Sequence, residues 1–496
     1  MDSQPSQITF QLIFLQKQPS MKLLTSLLFS LLFAFNMQAQ TDYKIKIELK
    51  NYPHDTILIG YKFGDKQYIK DTLTQTKKGL FVFEGNDTIK NGMYLVVLQP
   101  KNDFVEFLVD KNDHHFSMSV DFKDLNNSVK FKKSSSNKIF KEYGEFLKSQ
   151  RPKAEKLRAQ IHVQDSLKNT AQVEKLRKEL ANIDTDVSKY QQKFIKKHAG
   201  TFPALMVKSL TEVEVPDFKG DEKEVQKKKY YYYRTHYWDN IDFSDERLLY
   251  TNFFDRKMTF YIDKLVPQHP DTISQELDLV LKKMESNKEM YKYYLIAFLN
   301  KYAASKIVGF DAVYVHLAKE YYAKGKTPWV GEDQLAKILR DAYLLDPVLI
   351  GKKAPNMTLY KQDGTAKSIY DVDKPYTLLF FWSPECGHCK KAAPYLVKFF
   401  KEYKDQVEVI TICNELGDEK VKKCWETATD HEFNDMINLA DPKYSSHFKT
   451  VYNVKTTPAI YILNKDKEII MKRIPAKDLP DVMKQLIERD KKKGKK

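Results

Sequence analysis

The sequence predicts a multi-domain fold: an N-terminal antiparallel β-sandwich, a central all-α region and a C-terminal α/β domain. At 496 residues the chain exceeds a single hydrophobic core, since domains hold roughly 100–200 residues each. The spacing of apolar residues changes near residue 135 from the alternation of strands to the spacing of helices, and a strand–helix unit follows after residue 349. A hydrophobic fraction of 42% excludes wholesale disorder, and the presence of only four cysteines excludes a disulfide-stapled scaffold.

Residues 1–39 predict a secretory signal peptide whose natural start is Met21. The apolar run at 23–35 is shorter than the roughly 20 residues of a membrane-spanning helix. Lys22 precedes the run, and small and polar residues lead to a cleavage position after Ala39. The alternative is an uncleaved membrane anchor. Export would place the protein in the periplasm or cell envelope, which is an oxidising environment for thiols.

Residues 40–134 predict the strands of the sandwich. Apolar residues alternate with charged ones, the pattern of a half-buried strand, at Tyr43, Ile45, Ile47 and Leu49. The alternation returns at 57–61 and 116–120, and apolar runs at 93–98 and 104–109 add two strands. Asn-Asp pairs between these segments predict turns.

Residues 135–348 predict a helical domain. Alternating steps of four and three residues form one apolar stripe of a long helix, at Leu176, Leu180, Ile183, Val187, Tyr190 and Phe194. A break is expected near Asn169, and Gly200 with Pro203 ends the element. Shorter stripes predict later helices, at 291–302, 317–321 and 335–343.

The segment 227–234 interleaves lysines with tyrosines, a composition also found where proteins bind nucleic acid. A helix explains it better, because Tyr230, Tyr233 and Trp238 can then pack inward while the lysines face water. No nucleic-acid partner is predicted, since an exported protein meets little nucleic acid. The net charge of +16 leaves association with an acidic membrane surface as an alternative.

The C-terminal part, 349–496, contains a Cys-x-x-Cys motif between a predicted buried strand at 376–383 and a predicted helix. Cys386 would occupy the amino end of that helix, where unpaired N–H groups and the helix dipole stabilise a thiolate. Cys389 lies one turn further on, within reach of a disulfide. Gly387 would give the loop room, and protonated His388 would favour the thiolate that Glu385 opposes.

Two other roles for the motif are weaker. A zinc site needs four ligands, but Cys413 and Cys424 are 11 residues apart and form no second Cys-x-x-Cys. A structural disulfide between residues three apart would close little chain entropy. Cys413 and Cys424 are expected to be inert buried thiols, with a disulfide between them or a relay role as alternatives.

Residues 349–490 resemble the thioredoxin-fold domains of the TlpA/ResA type, which are exported thiol–disulfide oxidoreductases. The resemblance rests on Gly351 to Pro355, on Trp382 four residues before the first cysteine, on Pro394 five residues after the second, and on Thr457-Pro458 before an apolar strand. The 69 residues from Cys389 to Pro458 fit the strand–helix insertion of that group.

The resemblance implies a redox-active disulfide between Cys386 and Cys389, and neither a cofactor nor a metal. It implies supporting roles for Trp382, Gly387, His388, Pro394, Thr457 and Pro458, with a cis bond between the last two. The two upstream segments resemble, more loosely, domains of unknown function that precede thioredoxin domains in exported bacterial proteins.

Two positions depart from this pattern. Thioredoxin has a buried aspartate two residues before the tryptophan, which accepts the proton of the second cysteine, and here that position is Phe380. The Gly-His dipeptide between the cysteines resembles that of protein disulfide isomerase, whose couple lies near about −180 mV against about −270 mV for thioredoxin. By this resemblance the dithiol is a mild reductant or an isomerase.

The predicted function is exported thiol–disulfide exchange on protein disulfides, as a reductase or isomerase. Its partners would be disulfide-containing exported proteins and a membrane electron donor. A peroxidase is a rival because peroxiredoxins share the fold, but Leu379 and Ser383 stand where their motif has proline and threonine. The other alternative is an envelope protein that binds a ligand or partner and carries the thioredoxin domain as a passenger.

Overall fold

The structure, a computed structural model, describes residues 42–493. The chain forms two compact units, one ending at Ala204 and the other beginning at Leu205. The predicted leader at 1–39 lies outside the described residues. In the part of the chain that the structure describes, no helix is both long and apolar enough to cross a bilayer. The predicted sequence of a β-rich region, a helical region and a C-terminal α/β domain is confirmed.

The first unit begins with a two-sheet sandwich. Its strands are β1 (Tyr43–Lys50), β2 (Thr56–Phe63), β3 (Lys66–Thr74), β4 (Leu80–Gly85), β5 (Gly92–Leu98), β6 (Asp103–Val109), β7 (His115–Asp121) and β8 (Lys130–Lys132). The strand orders are β4-β1-β7-β8 and β3-β2-β5-β6, and the inner faces of both sheets share one hydrophobic core. In β1 every second residue from Tyr43 is buried, as the alternation predicts.

Strand pairing in the sandwich corrects the expectation of a purely antiparallel fold. The pairs are antiparallel except for β1 and β7, which run parallel with Ile45 opposite Phe116 and Ile47 opposite Met118. Parallel neighbours need a long crossover rather than a hairpin, and the five strands between β1 and β7 supply it.

Two long helices complete the first unit, α1 (Ser135–Ser166) and α2 (Thr170–Lys197). The break between them falls where it was predicted, and Asn169 caps α2 by accepting the N–H of Gln172. Leu176 and Phe194 of the predicted stripe are buried, and its other members are half-buried. The rings of Phe146 and Tyr190 stack between the helices with centroids 3.6 Å apart.

The helices that follow are α3 (Phe202–Leu210), α4 (Glu222–His236), α5 (Phe254–Phe260), α6 (Pro270–Lys283), α7 (Lys288–Ala303), α8 (Asp311–Leu317) and α9 (Glu332–Leu345). Two residues that were predicted to pack inward, Tyr230 and Tyr343, are exposed instead. Tyr230 of α4 is 37% exposed with Arg234 near its ring, although Trp238 is buried. Tyr343 of α9 is 76% exposed, because that helix buries Ile338 and Ala342 on a neighbouring face.

The C-terminal domain is a mixed sheet with helices on both faces. Its strands are β9 (Thr358–Tyr360), β10 (Ala366–Ser368), β11 (Tyr376–Trp382), β12 (Val407–Cys413), β13 (Ile437–Leu439), β14 (Ala459–Leu463) and β15 (Ile469–Lys472). Its helices are α10 (Gly387–Tyr403), α11 (Asp418–Asp430), α12 (Phe448–Val451) and α13 (Leu479–Lys493). The main sheet has the order β13-β12-β11-β14-β15, with β11 parallel to β12 and antiparallel to β14.

The central strand β11 explains the apolar run that predicted it. All seven of its residues are buried, and they alternate between two cores: Leu378 and Phe380 face one, and Leu379 and Phe381 face the other. A strand covered on both faces has no polar face to show, so its sequence does not alternate. This strand carries the chain to the edge of the sheet where the Cys-x-x-Cys motif begins.

Within the second unit, a buried ion pair ties the helical part to the C-terminal domain. Lys472 of β15 is 1% exposed, and its Nζ lies 2.6 Å from Asp311 Oδ2 and 2.6 Å from the carbonyl oxygen of Val348. Burial lowers the pKa of Lys472, while Asp311 acts in the opposite direction. A buried amine that is paired and hydrogen-bonded in this way favours a defined arrangement of these two parts.

Candidate active site

Cys386 occupies the position that precedes helix α10. Its backbone is extended, with φ −81° and ψ 108°, and the helix starts at Gly387. The backbone N–H of Cys389 donates to the Cys386 sulfur at 3.1 Å, as it would to the oxygen of a capping serine. The sulfur therefore lies at the end of the helix where N–H groups lack partners and where negative charge is stabilised.

The two cysteines of the motif are free thiols with different surroundings. Cys386 is half-buried, whereas Cys389 is 1% exposed. Burial raises the pKa of Cys386, but hydrogen bonds from the Cys389 side chain and from the backbone of Cys389 and His388 outweigh it, so the pKa is lowered. Burial raises the pKa of Cys389 to about 12, and its hydrogen bond to Cys386 adds to the rise. This asymmetry makes Cys386 the stronger candidate for the nucleophile.

The loop before β14 brings a carbonyl group to the first cysteine. The Thr457–Pro458 peptide bond is cis, and the Cys386 thiol donates to the carbonyl oxygen of Thr457 at 3.3 Å. A cavity of about 480 Å³ opens beside this loop, and it is lined by Lys455, Thr456, Pro458, Tyr461, Arg473 and Ile474. The lining includes Pro458, which directly follows the carbonyl group that the Cys386 thiol contacts.

The other predicted support residues lie around the motif with different degrees of burial. Trp382 is buried and meets the rings of Phe433 and His431 edge-on, with centroids 5.5 and 6.0 Å away. His388 is exposed, and Pro394 lies exposed within α10 beside a cavity of about 390 Å³. Gly387 stands in open space, because an added Cβ there would meet no heavy atom within 4 Å.

The two positions that depart from the family pattern each have a local explanation. Phe380 is 0% exposed and packs edge-on against Phe433, so its place in the core is apolar. Glu385 is exposed and forms an ion pair with Lys423 of α11, which holds the pKa of the Glu385 carboxyl below its usual range. Lys423 thus offsets part of the negative charge next to Cys386.

Cys413 and Cys424 form a disulfide, which corrects the expectation of two inert thiols. Cys413 ends β12, Cys424 lies on α11, and both are buried in the core that also contains Cys389. Their Cα atoms are 6.2 Å apart, within the range that a disulfide spans. The bond also leaves neither sulfur available as a thiolate ligand for zinc.

One contact at the site, between Ser383 and Glu415, was not predicted from the sequence. The Ser383 hydroxyl donates to the Glu415 carboxylate at 2.6 Å, and the Ser383 carbonyl accepts the N–H of Cys386 at 3.1 Å. The contact follows from the strand pairing, because Trp382 and Cys413 end neighbouring parallel strands opposite each other. Residues that follow such strands meet at one edge of the sheet, which is where α/β folds bind their ligands.

A dithiol between a buried strand and a helix, next to a cis-proline loop, defines a thioredoxin-like site for thiol–disulfide exchange. Residues 350–472 match the AhpC/TSA family. Residues 166–343 match a domain of unknown function, DUF5106, as the loose resemblance of the upstream segments implied.

The chain is similar to proteins of the same class. The thioredoxin-like protein YneN of Bacillus subtilis is 29% identical over 114 residues, which are 23% of this chain and 65% of YneN. The thiol-disulfide oxidoreductase ResA of Bacillus thuringiensis is 28% identical over 122 residues, which are 24% of this chain and 67% of ResA. The chain therefore spans just under two thirds of YneN and about two thirds of ResA.

One solved structure matches this chain over almost the whole of its own length. The crystal structure of a domain of a possible thiol-disulfide isomerase from Cytophaga hutchinsonii is 33% identical, covering 29% of this chain and 98% of that domain, with a TM-score of 0.27. The family match and the curated relatives put the C-terminal domain in the enzyme class of thioredoxin-like thiol–disulfide oxidoreductases.

Proposed function

We propose that this protein is an exported thiol–disulfide oxidoreductase that reduces or isomerises protein disulfides through Cys386 and Cys389. One observation carries the proposal, which is the position of the half-buried Cys386 sulfur at the amino end of α10. The buried Cys389 lies one turn away, and the carbonyl oxygen of Thr457 lies 3.3 Å from the Cys386 sulfur. The lowered pKa of Cys386 supports a nucleophilic role, because the thiolate is the attacking species.

The reaction would proceed in two exchanges. The Cys386 thiolate attacks one sulfur of a substrate disulfide, a mixed disulfide forms, and the other substrate sulfur leaves as a thiolate that takes up a proton. Cys389 then loses its proton and attacks the Cys386 sulfur, which forms the Cys386–Cys389 disulfide and releases the second substrate thiol. The substrate gains the two electrons that the dithiol loses.

The surroundings of the dithiol support a peptide substrate. The Thr457 carbonyl and the adjoining cavity offer a place for an extended chain beside Cys386. Trp382, Gly387, His388, Pro394, Thr457 and Pro458 keep the supporting roles that the family resemblance implies. Attack from Cys386 is favoured because Cys389 is too deeply buried to meet a protein disulfide directly.

Two observations support export and the partners that follow from it. The leader predicted at 1–39 is one, and the Cys413–Cys424 disulfide is the other, since such bonds persist mainly in oxidising compartments. In such a compartment a membrane electron donor would have to restore the dithiol. The substrates would be disulfide-containing proteins of the same compartment.

The proposal is tested by trapping the first mixed disulfide. In Cys389→Ser the second exchange cannot occur, so we expect covalent adducts with exported proteins that disappear on addition of a strong reductant. The double variant C386S/C389S is the matched control and should form none. If C389S gives no adducts and the wild-type chain does not exchange with a model protein disulfide, the proposed function is wrong.

A further inference from the structure

The second exchange has a problem that the site must solve. Cys389 is 1% exposed and must lose a proton before it can attack, although burial raises its pKa to about 12. The central strand has no carboxylate, since Phe380 stands where the family resemblance leads one to expect a buried carboxyl. At neutral pH, a thiol in this setting reacts slowly unless a nearby group assists its deprotonation.

Ser383 links Cys389 to a carboxylate. Its backbone forms a hydrogen bond with the Cys389 sulfur, which lowers the pKa of that thiol against the effect of burial. Its hydroxyl donates to Glu415 at 2.6 Å, and Ser383 as a whole is 9% exposed. Glu415 is held in turn by its own N–H, which donates to the Cys413 sulfur at 3.3 Å. Ser383 therefore contacts the Glu415 carboxylate through its hydroxyl and the Cys389 sulfur through its backbone.

The other charged or titratable groups around the site are less suited to this step. They are Cys386, His388 and Lys390 at the start of α10, Glu385 before it, and Lys423 and His431 on or after α11. Cys386 is part of the mixed disulfide at this stage, and the two lysines are protonated at neutral pH, so they have no lone pair to accept a proton. Glu385 is exposed and paired with Lys423, and His431 lies against the Trp382 ring. His388 is exposed and remains the one rival that an experiment must separate.

We infer that Glu415, acting through Ser383, is the positioning residue that assists deprotonation of Cys389 in the second exchange. The inference deepens the proposed function and rests on it. In the step, the proton of Cys389 moves towards the Ser383–Glu415 pair, the Cys389 sulfur bonds to the Cys386 sulfur, and the substrate sulfur leaves. The proton then passes to the departing thiolate or to solvent, so the carboxylate is regenerated.

The two exchanges can be separated with the small disulfide 5,5′-dithiobis(2-nitrobenzoate) on the reduced full-length chain. Attack by Cys386 releases the first coloured thiolate, and attack by Cys389 on the mixed disulfide releases the second. In Glu415→Gln we expect an unchanged first release and a second release that is about 10- to 100-fold slower at pH 7, at or below the lower end of what a positioned base contributes. S383A should behave like E415Q, and S383T, which keeps the hydroxyl, should restore the rate.

The pH dependence of the second release distinguishes assisted deprotonation of Cys389 from a simple disturbance of the fold. Without Glu415, only hydroxide removes the proton, so the second release of E415Q should rise about tenfold per pH unit up to the thiol pKa, more steeply than in the wild type. E432Q, which removes an exposed carboxylate paired with Lys401 of α10, is the matched control and should leave both releases unchanged.

A wild-type rate and pH profile in E415Q and S383A would overturn the inference, as would a slow second release in H388Q alone. Absence of the first release in the wild type would instead refute the proposed function.

Discussion

The C-terminal domain contains two cysteine pairs that share one hydrophobic core but have opposite surroundings. Cys386 and Cys389 are free, lie three residues apart and meet solvent through Cys386. Cys413 and Cys424 are bonded, lie 11 residues apart and are both buried. The chemistry of a thiol is thus decided here by where the secondary structure places it, since all four residues are chemically identical.

The position relative to a helix is the main difference. Cys386 precedes the first turn of α10, where backbone N–H groups stabilise a thiolate, whereas Cys424 lies within α11 and its neighbours' N–H groups are already bonded in the helix. Cys413 ends a buried strand. The first pair is placed to exchange disulfides with another molecule, and the second pair is placed to hold β12 and α11 together.

The largest expected effect is on activity. C386S should reduce the rate of disulfide exchange at least about 1,000-fold, because it removes the attacking sulfur. C413A/C424A should retain the rate to within about threefold, since both sulfurs are buried and the hydrogen bond from Ser383 to Glu415 remains when they are removed. Exchange with a model protein disulfide, followed by the appearance of its thiols, measures both. Comparable losses in the two variants would mean that the second pair also takes part in electron transfer.

The next largest effect is on stability, and here the variant of the second cysteine pair should lose more than the variant of the first. The Cys413–Cys424 bond closes an 11-residue separation, for which the chain-entropy model gives about 3 kcal/mol. C413A/C424A should therefore lower the free energy of unfolding of the C-terminal domain by roughly that amount, as measured by hydrogen exchange of the β11 amides. The control C386A/C389A breaks no bond and should lose about 1 kcal/mol, mostly from the buried Cys389. Equal losses would show that the disulfide adds no stability beyond packing.

The sequence predicted the first pair well because its signals are local. A fully apolar strand, two cysteines three residues apart and an apolar helix face are contiguous, so Cys386 at the start of a helix follows from the order of residues. The alternation in β1 is equally local. The cis bond at Thr457–Pro458, by contrast, came from family resemblance and not from the residues alone.

The contacts that sequence reasoning missed join distant parts of the chain. Ser383 and Glu415 are 32 residues apart and meet only because β11 and β12 lie side by side in parallel. The pairing of Cys413 with Cys424 depends on where α11 packs, which cysteine spacing does not determine. Tyr343 was misplaced for a related reason: the helix period was correct, but the neighbouring elements decide which face is buried.

The smallest expected effect concerns the charges next to Cys386 and sharpens the contrast between the pairs. Its lowered pKa predicts that the alkylation rate of Cys386 reaches half its maximum below the pH of about 8.5 expected of a free cysteine. Glu385 opposes the thiolate and Lys423 offsets Glu385, so E385Q should move this midpoint to lower pH and K423Q should move it to higher pH. Both charges are exposed and screened, so rates near pH 7 should change by less than about threefold. Shifts in the same direction would show that the ion pair does not control the charge at Cys386, and the nucleophile would then depend on the helix end alone.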